Sequence, residues 1–193
     1  MLYFAVAVGL IFIVFWTAQL VFVRLHIRWS KRIINSDRSD EDTGVSIIHP
    51  IKDLDFELEK NLESWFDQNY RGPVEHIFSF QEKDDPAIEV VKKLKEKHKD
   101  MDITIIINPV IAGLNGKSSN MVHGLRIAKY DYVLFGDSDT RVERDFVVKM
   151  VRPLKDKKVG VTTCGQINIG GKDFWTRYFT FLQNSETDYI WAF

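Results

Sequence analysis

The feature that most limits the fold is an apolar stretch, residues 2–23, that contains no charged side chain. As a helix rising about 1.5 Å per residue it would be roughly 33 Å long, enough to cross a hydrocarbon core of about 30 Å. A helix buried in a soluble core is the alternative, but such a helix normally keeps a polar face over that many turns. We therefore predict a transmembrane anchor over residues 1–23.

Basic residues follow this stretch directly, at Arg24, Arg28, Lys31 and Arg32. Because positive residues beside a span are retained on the cytoplasmic side, we expect a single-pass protein whose remaining chain is cytoplasmic. A cleaved signal peptide would carry positive charge before the apolar run, and residues 1–3 carry none. Residues 24–43 are predicted to be a basic juxtamembrane segment and linker, and residues 44–193 a folded domain.

The composition is that of a globular protein, with 45% apolar and 27% charged residues and a net charge of −1. A nucleic-acid-binding surface usually needs an excess of basic residues, so we expect no nucleic-acid partner. Cys164 is the single cysteine, which excludes an internal disulfide and is typical of a reducing compartment. We expect it to be a buried residue of a strand.

From residue 45 onward, short apolar runs alternate with segments whose apolar residues recur at helical spacing. The apolar runs predict five strands, at residues 45–50, 74–80, 103–107, 132–135 and 159–163. This alternation predicts the α/β class, with a mostly parallel sheet covered by helices on both faces. The carboxyl ends of parallel strands meet at one edge, where open α/β sheets bind ligands.

An acidic turn follows the fourth predicted strand, with Asp137 and Asp139 one residue apart. Carboxylate oxygens suit a hard cation such as Mg²⁺ or Mn²⁺, whose shell is completed by water and substrate phosphates. The alternative is an ordinary strand-to-helix turn in which Asp139 or Thr140 caps the next helix.

Two further polar segments follow the second and third predicted strands. Asp85 could accept hydrogen bonds from a nucleobase or ribose, or it could simply cap the helix that begins near Pro86. The loop at residues 113–117 brings Lys117 to a helix start, where it could hold phosphate. It is not a P-loop, because Ile111 stands where that motif needs glycine.

Five segments in order resemble the ceramide glucosyltransferases and their bacterial relatives, including hopanoid-associated glycosyltransferases, of the family 2/21 type. They are VSIIHPIK at 45–52, QEKDDPA at 81–87, GLNGKSSN at 113–120, AKYD at 128–131 and the Asp-Ser pair at 137–138. The resemblance spans almost the whole chain, and the order of the segments makes it far more specific than any one of them.

The resemblance implies a GT-A fold, a UDP-sugar donor, Mg²⁺ or Mn²⁺, and a membrane lipid acceptor such as a sphingolipid or hopanoid. By the same resemblance Asp137 and Asp139 bind the metal, and Asp85 reads the uridine. The remaining implied nucleotide-binding residues are Pro50, Lys52, Lys117 and Asn120.

Three positions depart from the ceramide enzymes. His49 replaces a usual lysine and Asp53 a frequent glycine, while Asp139 fits the broader Asp-x-Asp pattern and favours a bacterial-type relative. The family's general base and its Gln/Arg-x-x-Arg-Trp motif lie well downstream of the metal motif. No Arg-Trp pair follows Asp139, so the base is expected beyond Phe193.

These features predict an inverting glycosyltransferase that transfers a hexose from a UDP-sugar to a membrane lipid. One alternative is a polysaccharide synthase of the same superfamily. The other is a non-catalytic or split nucleotide-sugar-binding fragment whose missing C-terminal half comes from a partner.

Overall fold

The computed structural model describes residues 2–34, 43–112, 114–169 and 173–190. The chain divides into two compact units: the first comprises Met1–Arg38 and Arg152–Phe193, and the second comprises Ser39–Val151. Most of the predicted polar linker, residues 35–42, and Gly113 of the predicted phosphate loop lie outside the described residues.

The first unit contains α1, Leu2–Ile34, and α6, Phe174–Ile190, together with a 3₁₀ helix at Arg152–Lys155 that lies beside α1. Within α1, Val6–Leu25 has a mean hydropathy of 2.5 and none of its residues is buried. Among the described residues this is the one helix long and apolar enough to cross a membrane. The helix continues through the basic segment, because nothing there breaks it before Ile34.

The second unit is built on a four-stranded, all-parallel sheet. Its strands are β1, Val45–Pro50; β2, Val74–Phe80; β3, Asp102–Ile107; and β4, Tyr132–Phe135. All six residues of β1 are buried, as expected for a parallel strand covered on both faces. The predicted α/β class with a parallel sheet is confirmed.

Helices cover both faces of this sheet. They are α2, Leu58–Phe66; α3, Ala87–Lys97; α4, Gly116–Ile127; and α5, Phe146–Val151. Ile47 packs with Trp65 of α2 and Val147 of α5 on one face. The next residue, Ile48, points to the opposite face, where its side chain meets Gly124 of α4.

The fifth predicted strand, residues 159–163, is wrong. This segment has no strand pairing in the part of the chain that the structure describes, and Val161 is 81% exposed. Cys164, expected to be buried in a strand, is also exposed. A strand needs a hydrogen-bonding neighbour, and an apolar pattern alone cannot supply one.

The strand order is β3-β2-β1-β4. The chain moves from β1 through β2 to β3 in one direction and then returns to place β4 on the other side of β1. The direction of winding therefore reverses between β1 and β4. In open α/β sheets, such a reversal leaves a crevice at the carboxyl ends of the two strands, and ligands bind there.

Candidate functional site

A cavity of about 250 Å³ lies at this carboxyl edge, next to the ends of β1 and β4. The structure brings all seven sequence-predicted site residues to its wall. They are Pro50, Lys52, Asp85, Lys117, Asn120, Asp137 and Asp139. They come from four separate places in the chain, so parallel strands have gathered groups up to 89 residues apart in sequence, from Pro50 to Asp139. Their individual roles stay predictions.

Asp85 joins the segments that follow β1 and β2. Its Oδ2 accepts a hydrogen bond from the backbone N–H of Asp53 at 3.0 Å, and its Oδ1 accepts one from Ala87 at 2.9 Å. The helix-capping role weighed from the sequence is therefore present, and the same carboxylate also lines the cavity. Asp53 has a φ of 59°, a left-handed conformation that glycine adopts without strain.

The amino end of α4 borders the cavity through Gly116 and Lys117. Asn115 caps this helix, with its side chain accepting from the Ser118 N–H at 2.8 Å. The first backbone N–H groups of a helix have no intrahelical acceptor and carry partial positive charge, which suits an anion. Asn120, buried one turn later, donates to the Ile51 carbonyl oxygen at 3.3 Å and fixes α4 against the end of β1.

An ion pair crosses the cavity between two predicted site residues. Lys117 Nζ lies 2.6 Å from Asp137 Oδ1, with both side chains partly exposed. Asp139 is exposed, and its Oδ1 accepts a hydrogen bond from the Thr140 hydroxyl at 3.3 Å. One oxygen of the acidic pair thus already has a cation beside it.

The acidic turn is held by α2 and by the loop before it, which the sequence did not reveal. The buried Ser138 hydroxyl donates to the Asp55 carboxylate, and Asn61 donates to the Ser138 carbonyl oxygen at 3.3 Å. Trp65 Nε1 donates to the Thr140 carbonyl oxygen at 3.2 Å. Asp55 also lines the cavity. The sequence does not single it out, because an acidic residue five positions after a strand is typical of a solvated loop.

Arg141 extends this support on the solvent side of the turn. Its guanidinium donates to Glu57 at 2.8 Å and to Asn61 Oδ1 at 3.1 Å. Hydrogen bonds from Lys60 and from Arg141 lower the pKa of the Glu57 carboxyl. The turn is therefore tied to the start of α2 by charged as well as neutral hydrogen bonds.

Beneath the turn, His49 of β1 is fully buried and is therefore absent from the cavity wall. Burial lowers its pKa to about 4, and burial together with the neighbouring His49 lowers the pKa of His76 well below its usual value. A Cβ atom at Gly136 would lie 2.9 Å from both the His49 ring and the Trp65 ring, so glycine allows the turn to rest on them.

The donor set fits a divalent cation bound together with a substrate. Asp137 and Asp139 supply hard oxygen ligands, and the Lys117 ammonium already lies where a positive charge is favourable. In the described ranges, no group of three or more His, Cys, Asp or Glu side chains could hold a metal. Mg²⁺ and similar cations are commonly bound by one or two carboxylates plus substrate phosphates, and this site offers that number.

The parallel sheet with helices on both faces has the GT-A fold, and the acidic turn follows its edge strand β4. The chain belongs to glycosyl transferase family 21, whose family model matches residues 5–180. The fold is similar to that of the mannosyltransferase PcManGT from Pyrobaculum calidifontis, solved in complex with GDP-Man and Mn²⁺. The TM-score is 0.55 at 22% identity, over 87% of this chain and 48% of that one.

Among curated proteins, the chain is similar to ceramide glucosyltransferases. It is 36% identical to ceramide glucosyltransferase 1 of Caenorhabditis elegans over 121 residues, covering 62% of this chain and 26% of that protein. It is 33% identical to ceramide glucosyltransferase of Candida albicans over 129 residues, covering 60% and 24%. The chain thus spans about a quarter of the length of the curated relatives it matches.

Proposed function

We propose that this domain binds a UDP-sugar, and that the protein transfers the hexose with inversion to a membrane lipid. The observation that carries the proposal is the meeting of Asp85, Lys117 and Asp137 at one cavity, at the reversal point of a parallel sheet. A nucleoside diphosphate needs a polar reader for its base or ribose and positive charge for its phosphates, and this cavity offers both kinds of group.

In this proposal the diphosphate lies against the amino end of α4, where Lys117 and the positive end of the helix dipole favour negative charge. Asp85 faces the uridine, and Pro50, Lys52 and Asn120 complete the nucleotide wall. The choice of uridine is what the resemblance of the five sequence segments to the ceramide glucosyltransferases implies.

Asp137 and Asp139 would hold Mg²⁺ or Mn²⁺ against the donor phosphates. A cation bound there would neutralise the negative charge that develops on the departing diphosphate. The chain's own contribution is to fix the acidic turn through Ser138 and Asn61, so that the carboxylates need little reorganisation when the donor arrives.

In the transfer, the acceptor hydroxyl oxygen bonds to the anomeric carbon while the bond from that carbon to the diphosphate oxygen breaks. The electron pair of the broken bond leaves with UDP, and the hydroxyl proton passes to a general base. Of the cavity carboxylates, we assign Asp85 to the nucleotide and Asp137 and Asp139 to the cation. General-base assistance is worth about 10²–10⁴ in rate.

The lipid acceptor is supported by the apolar helix α1 and by the names of the curated relatives. We propose that α1 anchors the protein and that the basic residues after it keep the domain cytoplasmic. Cys164 is exposed and is the single cysteine, so its labelling reports the side of the membrane. A membrane-impermeant maleimide should label inverted vesicles and spare intact cells, and the opposite pattern would contradict this orientation.

Nucleotide binding can be followed through Trp65, which donates a hydrogen bond to the segment carrying the acidic pair. The full chain in detergent should show a fluorescence change on adding UDP with Mn²⁺, and a much smaller one in EDTA. Trp65→Phe identifies the reporting residue, and GDP tests the choice of base. Equal UDP affinity in EDTA, or unchanged affinity in Asp137→Asn with Asp139→Asn, would contradict the metal assignment; absence of UDP binding would overturn the whole proposal.

A further inference from the structure

We propose that Lys117 is an internal counter-ion for Asp137, so that the divalent cation and the donor diphosphate bind as a linked pair. In the absence of diphosphate, Lys117 occupies Oδ1 of the carboxylate and keeps the cation weakly bound. When a diphosphate arrives, Lys117 turns to it and Asp137 becomes available to the metal. This inference rests on the proposed function, because it concerns how the same site fills.

The geometry places the two groups in direct competition. Lys117 Nζ lies 2.6 Å from Asp137 Oδ1, so a metal ion approaching that oxygen meets an ammonium group at van der Waals distance. Two positive charges about 4 Å apart repel strongly unless solvent or an anion screens them. The same oxygen therefore cannot serve both cations well.

The ion pair is also easy to break. The Lys117 side chain is 56% exposed and the Asp137 side chain 34% exposed, and ion pairs this accessible to solvent add little stability. Lys117 is the second residue of α4, so a short rotation of its flexible side chain brings the ammonium to an anion held at the helix amino end. A diphosphate at that position offers Lys117 a better partner than one carboxylate.

The number of ligands points the same way. Asp137 and Asp139 alone are too few to hold a cation tightly, and in the part of the chain that the structure describes no third His, Cys, Asp or Glu joins them. Phosphate oxygens are needed to complete the coordination shell. The diphosphate thus contributes twice, by drawing Lys117 away and by supplying ligands.

A thermodynamic cycle makes the idea quantitative. The factor by which UDP raises Mn²⁺ affinity must equal the factor by which Mn²⁺ raises UDP affinity, and couplings of roughly 5- to 150-fold are usual. If Lys117 carries part of this coupling, replacing it with a neutral residue should strengthen Mn²⁺ binding without UDP and weaken the enhancement that UDP brings. If Lys117 only attracted phosphate, replacing it would lower the affinity for UDP and leave the affinity for Mn²⁺ alone unchanged.

The test measures free Mn²⁺ by electron paramagnetic resonance, with the full chain in detergent. Titrations without protein give the amount of Mn²⁺ bound to UDP in solution, and this amount is subtracted. For the native chain we expect weak Mn²⁺ binding alone, an increase of about tenfold with UDP, and no increase with uridine, which lacks the diphosphate. In Lys117→Gln we expect Mn²⁺ alone to bind severalfold more tightly, and UDP to add less than in the native chain.

Lys52→Gln is the matched control. It removes the same charge from the same cavity, but the described residues include no ion pair between Lys52 and Asp137, so its effect on Mn²⁺ alone should be smaller. The contrary result is that Lys117→Gln binds Mn²⁺ alone no more tightly than the native chain does, while UDP still raises Mn²⁺ affinity by the native factor. That result would overturn the counter-ion role and leave the proposed function standing. Absence of Mn²⁺-dependent UDP binding in the native chain would defeat both.

Discussion

The carboxylate of Asp85 accepts a hydrogen bond from the backbone N–H of Asp53 at 3.0 Å and so joins the segments that leave β1 and β2. The backbone of Asp53 lies in the left-handed region, with φ at 59°, and this hydrogen bond holds it there. The contact holds the chain beside Lys52 in place at the cavity wall. One buried carboxylate therefore shapes the nucleotide side of the site and also caps α3.

The first prediction concerns Asp85→Asn, which keeps the shape of the side chain but leaves one of two backbone N–H groups facing an amide NH₂. Hydrogen bonds to charged groups contribute about 1.5–3 kcal/mol, so the free energy of unfolding should fall by about 2 kcal/mol. UDP affinity should fall with it. Urea unfolding followed by tryptophan fluorescence measures the first effect. Asp84→Asn, at the exposed neighbouring position, should change neither quantity.

Asp53 provides the second prediction, because its positive φ strains any side chain except glycine. Asp53→Gly keeps the backbone N–H that Asp85 accepts from and should raise the free energy of unfolding by about 1 kcal/mol. Asp53→Ala lacks the short polar group that makes this conformation tolerable and should lower it. The same unfolding measurement decides the matter: a glycine variant less stable than the alanine variant would mean that the left-handed conformation is wrong.

Ser138→Ala tests the support of the acidic turn. It removes the hydroxyl that donates to Asp55, at a cost of about 1–2 kcal/mol. If about 1 kcal/mol of this loss appears in the free energy of binding, the affinity for UDP in the presence of Mn²⁺ should fall about fivefold.

Ser64→Ala is the control for this prediction. The Ser64 hydroxyl accepts from the Val142 N–H at 3.0 Å, so the variant loosens the same segment beyond the acidic pair. Ser64→Ala should lower the free energy of unfolding by about as much as Ser138→Ala does, and it should leave the affinity for UDP unchanged. Equal losses of affinity in the two variants would show that the turn gains nothing special from Ser138.

A fourth prediction follows from the two buried histidines. Because the pKa of His49 is lowered to about 4 and that of His76 well below its usual value, the unfolded chain binds protons that the native protein excludes. Stability is therefore complete above about pH 6.5 and falls as the pH drops, by about 1–2 kcal/mol per histidine at pH 5. His76→Leu should reduce this slope by about half.

Unfolding curves at several pH values between 5 and 7.5 measure that slope. Ile77→Val changes a fully buried residue of the same strand and has no titrating group. It should lower stability at every pH without altering the slope. A His76→Leu slope equal to the native one would mean that the pKa of His76 is not lowered in the folded protein.

Gly124→Ala gives the fifth prediction. A Cβ atom there would lie 2.5 Å from Cγ2 of Ile48, which forces α4 away from β1. Overpacking of this kind costs about 1–3 kcal/mol, more than the roughly 1 kcal/mol that alanine gains over glycine in a helix. Gly160→Ala, with no heavy atom within 4 Å of the added Cβ, should have little effect on thermal unfolding. A stabilised Gly124→Ala would contradict the close approach of α4.

The sequence predicted four of the strands at their observed positions because their β-branched and apolar residues form short runs between polar turns. The same signal failed at residues 159–163, where the pattern is similar but no described strand lies alongside. Asp85, Lys117, Asp137 and Asp139 could be predicted at the cavity because polar groups that follow parallel strands collect at one edge. Pro50, Lys52 and Asn120 were implied only by the resemblance to the ceramide glucosyltransferases. The sequence missed Asp55, since nothing local distinguishes that carboxylate from its exposed neighbours.

By itself, then, the sequence determined the apolar helix, the alternating elements and the acidic and basic groups at the strand ends, because each depends on residues near one another in the chain. Only the tertiary structure decided that β4 lies beside β1, that Asp55 holds Ser138 across 83 residues, and that Lys117 pairs with Asp137. Those contacts depend on which strands become neighbours. That choice is made by the packing of the whole sheet against its helices, and no local pattern encodes it.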